Sequence, residues 1–135
     1  MKKNYLLMLA LGLTCCPVMA QENKGEVISL LPDGVTLNIG SERKMDKQKN
    51  LVVVGSPKKG YKAFFAASDA THGEELWVTD GTKEGTRMVA DIQAGEGSSS
   101  PAYLTRFNDK VVFSAVNDEG DREPWISDGT PEGTF

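Results

Sequence analysis

The chain has 135 residues, 39% hydrophobic and 25% charged, with 15 Lys and Arg against 19 Asp and Glu for a net charge of −4. That acidic balance is the wrong electrostatic footprint for nucleic acid or an anionic membrane surface. Two cysteines and one histidine leave little material for a disulfide framework or a histidine-rich metal site.

Lys2 and Lys3, the apolar run from Tyr5 to Thr14 and the small-residue site Val18-Met19-Ala20 read as a three-part export signal ending before Gln21. The apolar run is about half the length that a bilayer span needs. Residues 1–20 are therefore expected to be removed, placing the protein in the periplasm, at the cell surface or outside the cell, with no integral membrane span. A lipid anchor on Cys15 or Cys16 is the weaker reading, because no Gly or Ala precedes either cysteine and Pro17 follows. Without residues 1–20 the 15 basic residues become 13 against 19 acidic ones, a net charge of −6, and no cysteine remains.

Residues 26–31 and 35–39 are β-rich, and Pro32-Asp33-Gly34 between them predicts a hairpin. Residues 40–50 are polar, with the basic run Arg43-Lys44-Met45-Asp46-Lys47-Gln48-Lys49, and read as a solvated linker. Residues 51–54 are a short apolar, β-branched run before Gly55-Ser56-Pro57, which predicts a buried strand. Further strands are expected over 61–67, 75–79, 87–92, 103–107, 110–116 and 123–127, separated by clusters of Gly, Asp, Asn and Ser. Gly95-Glu96-Gly97-Ser98-Ser99-Ser100-Pro101 reads as a surface loop and lacks the strand-to-helix setting of a phosphate loop.

A repeat orders this string of strands. Glu75-Leu-Trp-Val-Thr-Asp-Gly-Thr-Lys-Glu-Gly-Thr86 returns 48 residues later as Glu123-Pro-Trp-Ile-Ser-Asp-Gly-Thr-Pro-Glu-Gly-Thr134, and residues 60–87 share 11 identities with 108–135. The signature comprises Glu75, Trp77, Asp80, Gly81, Thr82, Gly85 and Thr86, with Glu123, Trp125, Asp128, Gly129, Thr130, Gly133 and Thr134. A period of this length carrying about four short strands predicts an all-β fold. The expectation is about two tandem four-stranded antiparallel propeller-like blades, forming an incomplete propeller or array. The organisation is a signal over 1–20, a hairpin and linker over 21–50, and two repeats over 51–135, the second truncated.

Each signature residue has a structural reading. Trp77 and Trp125 are expected to pack between successive sheets, with a ligand-stacking platform as the alternative. Asp80-Gly81 and Asp128-Gly129 are turn dipeptides whose carboxylates accept backbone N–H bonds, and the threonines hydrogen-bond the same turns. Glu75 and Glu123 are expected to serve a turn or an inter-repeat hydrogen bond. Pro124 removes a ladder donor, which predicts an edge or a bulge in its strand.

Residues bearing reactive chemistry are sparse. His72 is the single histidine and faces Gly120 in the other repeat. The acidic loops 69–75 and 117–123 offer oxygens for calcium, but their spacing does not fit a helix-flanked calcium loop, and solvated turns are the simpler reading. A carboxylate repeated in every unit is better explained by structure than by a glycosidase acid and base pair. No catalytic, cofactor or metal residue is assigned.

The segment Glu75-Leu76-Trp77-Val78-Thr79-Asp80-Gly81-Thr82, with Gly85-Thr86, Asp91-Ile92, Ser98-Ser99-Ser100-Pro101, Leu104-Thr105 and Asn108, resembles the bacterial ELWxxDGT repeat family over about residues 61–135. The resemblance implies an exported or surface-exposed tandem-repeat protein of propeller-like architecture and carries no enzymatic role. Function is accordingly expected to be a non-enzymatic binding or interaction scaffold, with a protein or glycan partner or self-association through open blade edges. The alternatives are the ligand- or glycan-binding propeller portion of a polysaccharide-active surface enzyme and a calcium-stabilised adhesion module. The stop at Phe135, inside the second repeat, is read as a fragment of a longer frame, a self-assembling unit, or an array capped by the hairpin 26–39.

Overall fold

In the computed structural model, residues 31–37 and 51–135 are described. The export signal, the linker 40–50 and all of the first hairpin strand except Leu31 lie outside them. The described residues are all β: β1 (Thr36–Leu37), β2 (Leu51–Ser56), β3 (Gly60–Ser68), β4 (Glu75–Thr79), β5 (Arg87–Ala90), β6 (Ala102–Phe107), β7 (Lys110–Val116) and β8 (Arg122–Ser127). Every pairing is antiparallel, and for the five pairs of successive strands the short connections require it. Among these residues no helix is long and apolar enough to cross a membrane.

The strands form two sheets. The first has five, with β3 at its centre between β4 and β2, β5 beyond β4, and β1 on the same edge of β3 as β2; the second runs β6-β7-β8. The expected four-and-four division is therefore replaced by five and three, and neither sheet closes on itself or forms a propeller. Two local causes account for the count. Val35 N–H donates to Pro32 O across the expected turn at 3.2 Å. The chain after it then pairs with β3 (Thr36 with Ser68, Leu37 with Ala67) and adds a short fifth strand. In the second unit, Phe135 stands where β5 begins in the first. It exchanges hydrogen bonds with Ile126 at 2.9 and 3.1 Å, as Arg87 pairs with Val78.

Side-chain alternation gives each sheet two faces. In the first sheet Phe65, Ala67 and Trp77 share one face, packed under Leu31, Val35 and Leu37 with Leu51 and Met88. Phe64, Leu76 and Val78 share the other, and pack with Val54 and Val89 against Leu104, Val111, Phe113 and Ala115 of the second sheet, with Trp125 at the margin. Phe113 and Trp125 are the repeat counterparts of Phe65 and Trp77. The units therefore stack in one sense, the tryptophan-bearing face of the second against the opposite face of the first.

Polar groups hold the stack at its rim. Arg87 Nη2 donates to Gly129 O at 2.6 Å and Arg106 Nη2 to Gly55 O at 3.0 Å. Lys59 and Asp109 form an exposed ion pair at 2.6 Å, a contact worth little in water. Burial of the aliphatic and aromatic faces is the larger contribution. Phe64→Ala, at the centre of the interface, should cost about 3–5 kcal/mol of unfolding free energy in a denaturant titration. Val112→Ala, its repeat counterpart on the uncovered side, should cost about 1 kcal/mol or less.

Candidate interaction surface

The most repeated residues turn out to satisfy one another. After β4, Asp80 Oδ1 accepts from Thr82 N–H at 2.9 Å and from its hydroxyl at 2.7 Å; after β8, Asp128 Oδ1 accepts from Thr130 at 2.9 and 2.7 Å. Thr82 Oγ1 then accepts from Gly85 N–H at 2.9 Å, and Thr130 Oγ1 from Gly133 N–H at 3.0 Å. The hydroxyls of Thr86 and Thr134 donate to the carbonyls of Thr82 and Thr130 at 2.6 and 2.7 Å. They also meet Thr79 Oγ1 and Ser127 Oγ at 2.6 and 2.8 Å.

The glycines follow from the same turn. Gly81 and Gly129 have φ of 96° and 92°, a left-handed backbone that side chains disfavour. Gly85 and Gly133 lie against the carboxylates of Asp80 and Asp128, where an added Cβ would come to 2.0 and 2.3 Å from the nearest oxygen. The Asp-Gly-Thr-x-x-Gly-Thr string is thus one closed hydrogen-bonded turn, made twice.

Burial raises the Asp80 pKa, but the hydroxyl and N–H of Thr82 outweigh it and hold the carboxyl below the usual range; the Thr130 hydroxyl and N–H do the same for Asp128. Such lowered values add stability above the unfolded carboxylate pKa, lost as pH falls through the folded one.

Glu75 behaves differently from its repeat partner. Its carboxylate is fully buried and accepts from Ile92 N–H at 3.2 Å, Gln93 N–H at 3.3 Å, Ser99 N–H at 3.0 Å and the Ser99 hydroxyl at 2.6 Å. It therefore clasps the connection between the sheets. Desolvation pushes its pKa up against the pull of those donors. That increment favours the fold at low pH and fades as pH rises through the folded value. Glu74 adds to the grip, accepting Ser100 N–H at 3.1 Å and donating its own to Ser98 Oγ at 2.9 Å. The expected surface loop 95–101 is corrected in part, since Ser99 and Pro101 are buried. Ser99 turns inward because a buried carboxylate needs donors.

Glu123 is exposed. No connection reaches it among the described residues.

In the loops weighed for calcium, several oxygens already accept hydrogen bonds from the chain. Asn117 Oδ1 accepts from the N–H groups of Glu119 and Asp121 at 3.0 and 2.9 Å, and Asp118 Oδ1 from Ala94 N–H at 2.7 Å. Asp69 Oδ1 accepts from Thr71 and His72 N–H, each at 2.8 Å, and lies 3.0 Å from His72 Nδ1. His72 Nε2 stands 4.0 Å from Asp91. The half-buried ring thus joins two turns, and the Asp69 hydrogen bond raises its pKa. Among the described residues no three His, Cys, Asp or Glu side chains converge as a metal site.

The remaining distinctive surface is the second sheet's uncovered face. Tyr103, Val112, Ser114, Pro124, Ile126 and Phe135 line an open groove of about 590 Å³. Tyr103 is 59% and Phe135 70% exposed, and Tyr103 has φ of 58°, a conformation aromatic residues seldom adopt. Pro124 pairs with Ser114 of β7. Because Ile126 turns its N–H and C=O toward Phe135, the imide nitrogen two residues earlier faces the same outer edge, where no ladder donor is lost to β7. The indole N–H groups of Trp77 and Trp125 are buried without a hydrogen-bond partner, so both rings serve as apolar surface. The sequence signalled the turns and tryptophans; the groove escaped it because Tyr103 and Phe135 lie outside the repeated signature.

No family model, curated protein or solved structure matches the chain.

The two glutamates separate a recurring letter from a recurring environment. Glu75→Ala leaves buried N–H groups at Ile92 and Ser99 unpaired and should cost about 3 kcal/mol or more. Glu123→Ala should fall within about 0.5 kcal/mol of the parent. Urea midpoints of the two variants check this, and equal losses would contradict it.

Proposed function

We propose that this chain is a non-enzymatic, exported β-repeat scaffold of the ELWxxDGT type, whose blade-like units present an apolar face to a partner. The observation that carries the reading is the closed turn made twice: Asp80, Thr82 and Thr86, like Asp128, Thr130 and Thr134, direct their oxygens into their own turn. A carboxylate so engaged is a poor proton donor or nucleophile. The same-sense stacking of the two sheets supports a propeller-like, open array. The exposed aromatic groove on the second sheet supports an interaction role, since apolar patches on a soluble surface mark contact sites.

Export and the absence of turnover are testable together. The culture fraction holding the protein should contain a chain beginning at Gln21 by mass spectrometry. Purified protein should retain surface polysaccharides or proteins on an array without releasing product from them. Product release abolished by a single carboxylate variant would reverse the reading in favour of an enzyme.

A further inference from the structure

The uncovered face of the second sheet has a counterpart inside the molecule. On the first sheet Val54, Phe64, Leu76 and Val78 are at most 4% exposed because the second sheet lies over them. By strand register, with Val54 opposite Lys62 and Phe107 opposite Lys110, the matching positions on the second sheet are Phe107, Val112, Pro124 and Ile126. Phe107 is 56% exposed where Val54 is 2%. Val112 in place of Phe64 and Pro124 in place of Leu76 reduce the volume of this face, while Phe107 for Val54 adds to it and Phe135 for Arg87 replaces a charged side chain with an apolar ring.

Two further features repeat the layout of the covered interface. Glu123 occupies the place of Glu75 at the start of its strand, yet is exposed, and its carboxylate makes no hydrogen bond among the described residues. Phe135 forms the first rung beyond β8, at the edge where β5 lines the first sheet.

We propose that this face docks the tryptophan-bearing face of another unit with the same 48-residue pattern, and that Glu123 then clasps the incoming connection as Glu75 clasps residues 92–99. The occupant is an antiparallel sheet carrying the Phe and Trp pair of Phe113 and Trp125, approached by a segment that offers the backbone N–H groups and serine hydroxyl of Ile92, Gln93 and Ser99. A glutamate carboxylate at the rim selects for those donors, and the apolar face selects for the aromatic pair. Such a contact is heterologous, with unlike surfaces meeting, so each docked unit exposes a new face of the first kind.

This deepens the scaffold reading by naming a partner, and rests on it only in using the same face. The test therefore avoids ligand retention and turnover. Residues 88–135 are appended after Phe135, continuing the period in register, and Glu123→Ala is introduced in both the 135-residue chain and the extended one. In the 135-residue chain the substitution leaves the urea midpoint unchanged. In the extended chain it lowers the folding equilibrium constant about tenfold or more, as loss of a buried hydrogen-bonded acceptor does. Ile126 amide exchange slows in the extended chain. An appended segment that stays protease-sensitive while the first 135 residues fold, or a silent Glu123→Ala in both, overturns the proposal; neither outcome bears on whether the protein is exported or lacks turnover.

Discussion

The structure depends most on one buried carboxylate. Glu75 sits at the start of β4 with no water contact and gathers the N–H groups of Ile92, Gln93 and Ser99 around it. An ionisable group in such a place is costly unless its oxygens are fully engaged. Engaging them forces the chain between the sheets to fold back along the edge of the first, and that path delivers β6 and β7 onto the face carrying Phe64. The clasp sets direction; the apolar contact between Phe64, Leu76, Val78 and Val111, Phe113, Ala115 supplies the larger share of the stabilisation.

The repeated residues divide into two kinds. Those of the Asp-Gly-Thr-x-x-Gly-Thr turn are satisfied within the turn and by the hydroxyl of the strand residue just before it, so both copies have the same geometry to within about 0.1–0.2 Å in each matched hydrogen bond. Glu, Trp and the strand residues depend on what lies above and below the sheet, so their copies diverge. Trp77 lies under the segment 31–37, Trp125 lies at the margin of the inter-sheet core, and Glu123 lies in solvent. A unit of this kind is locally complete in its turns and incomplete in its faces, which is the property that drives repeats to stack.

The sequence disclosed what is local. Alternation and turn dipeptides placed β4 and β7 at their observed ends and put β2, β3, β6 and β8 within about two residues. It disclosed less where a distant group decides. The strand expected over 87–92 stops at Ala90 because Ile92 N–H is drawn to Glu75 rather than to a neighbouring strand. The serine-rich stretch read as surface because serine is polar, yet Ser99 is buried as a donor. The residues after Pro32-Asp33-Gly34 joined β3, a pairing that no local pattern announces. Pro124 at an outer edge was legible, since a missing donor is a property of the residue itself.

Amide hydrogen exchange read residue by residue tests the central role of Glu75 most directly. If the clasp is as described, Ile92 and Ser99 exchange only with global unfolding, at the rate of the β4 amides, although both lie outside any strand. Exchange of Ile92 and Ser99 at the fast rate of exposed Glu96 would show that the carboxylate does not hold the connection, and the account of how the two sheets are joined would be wrong.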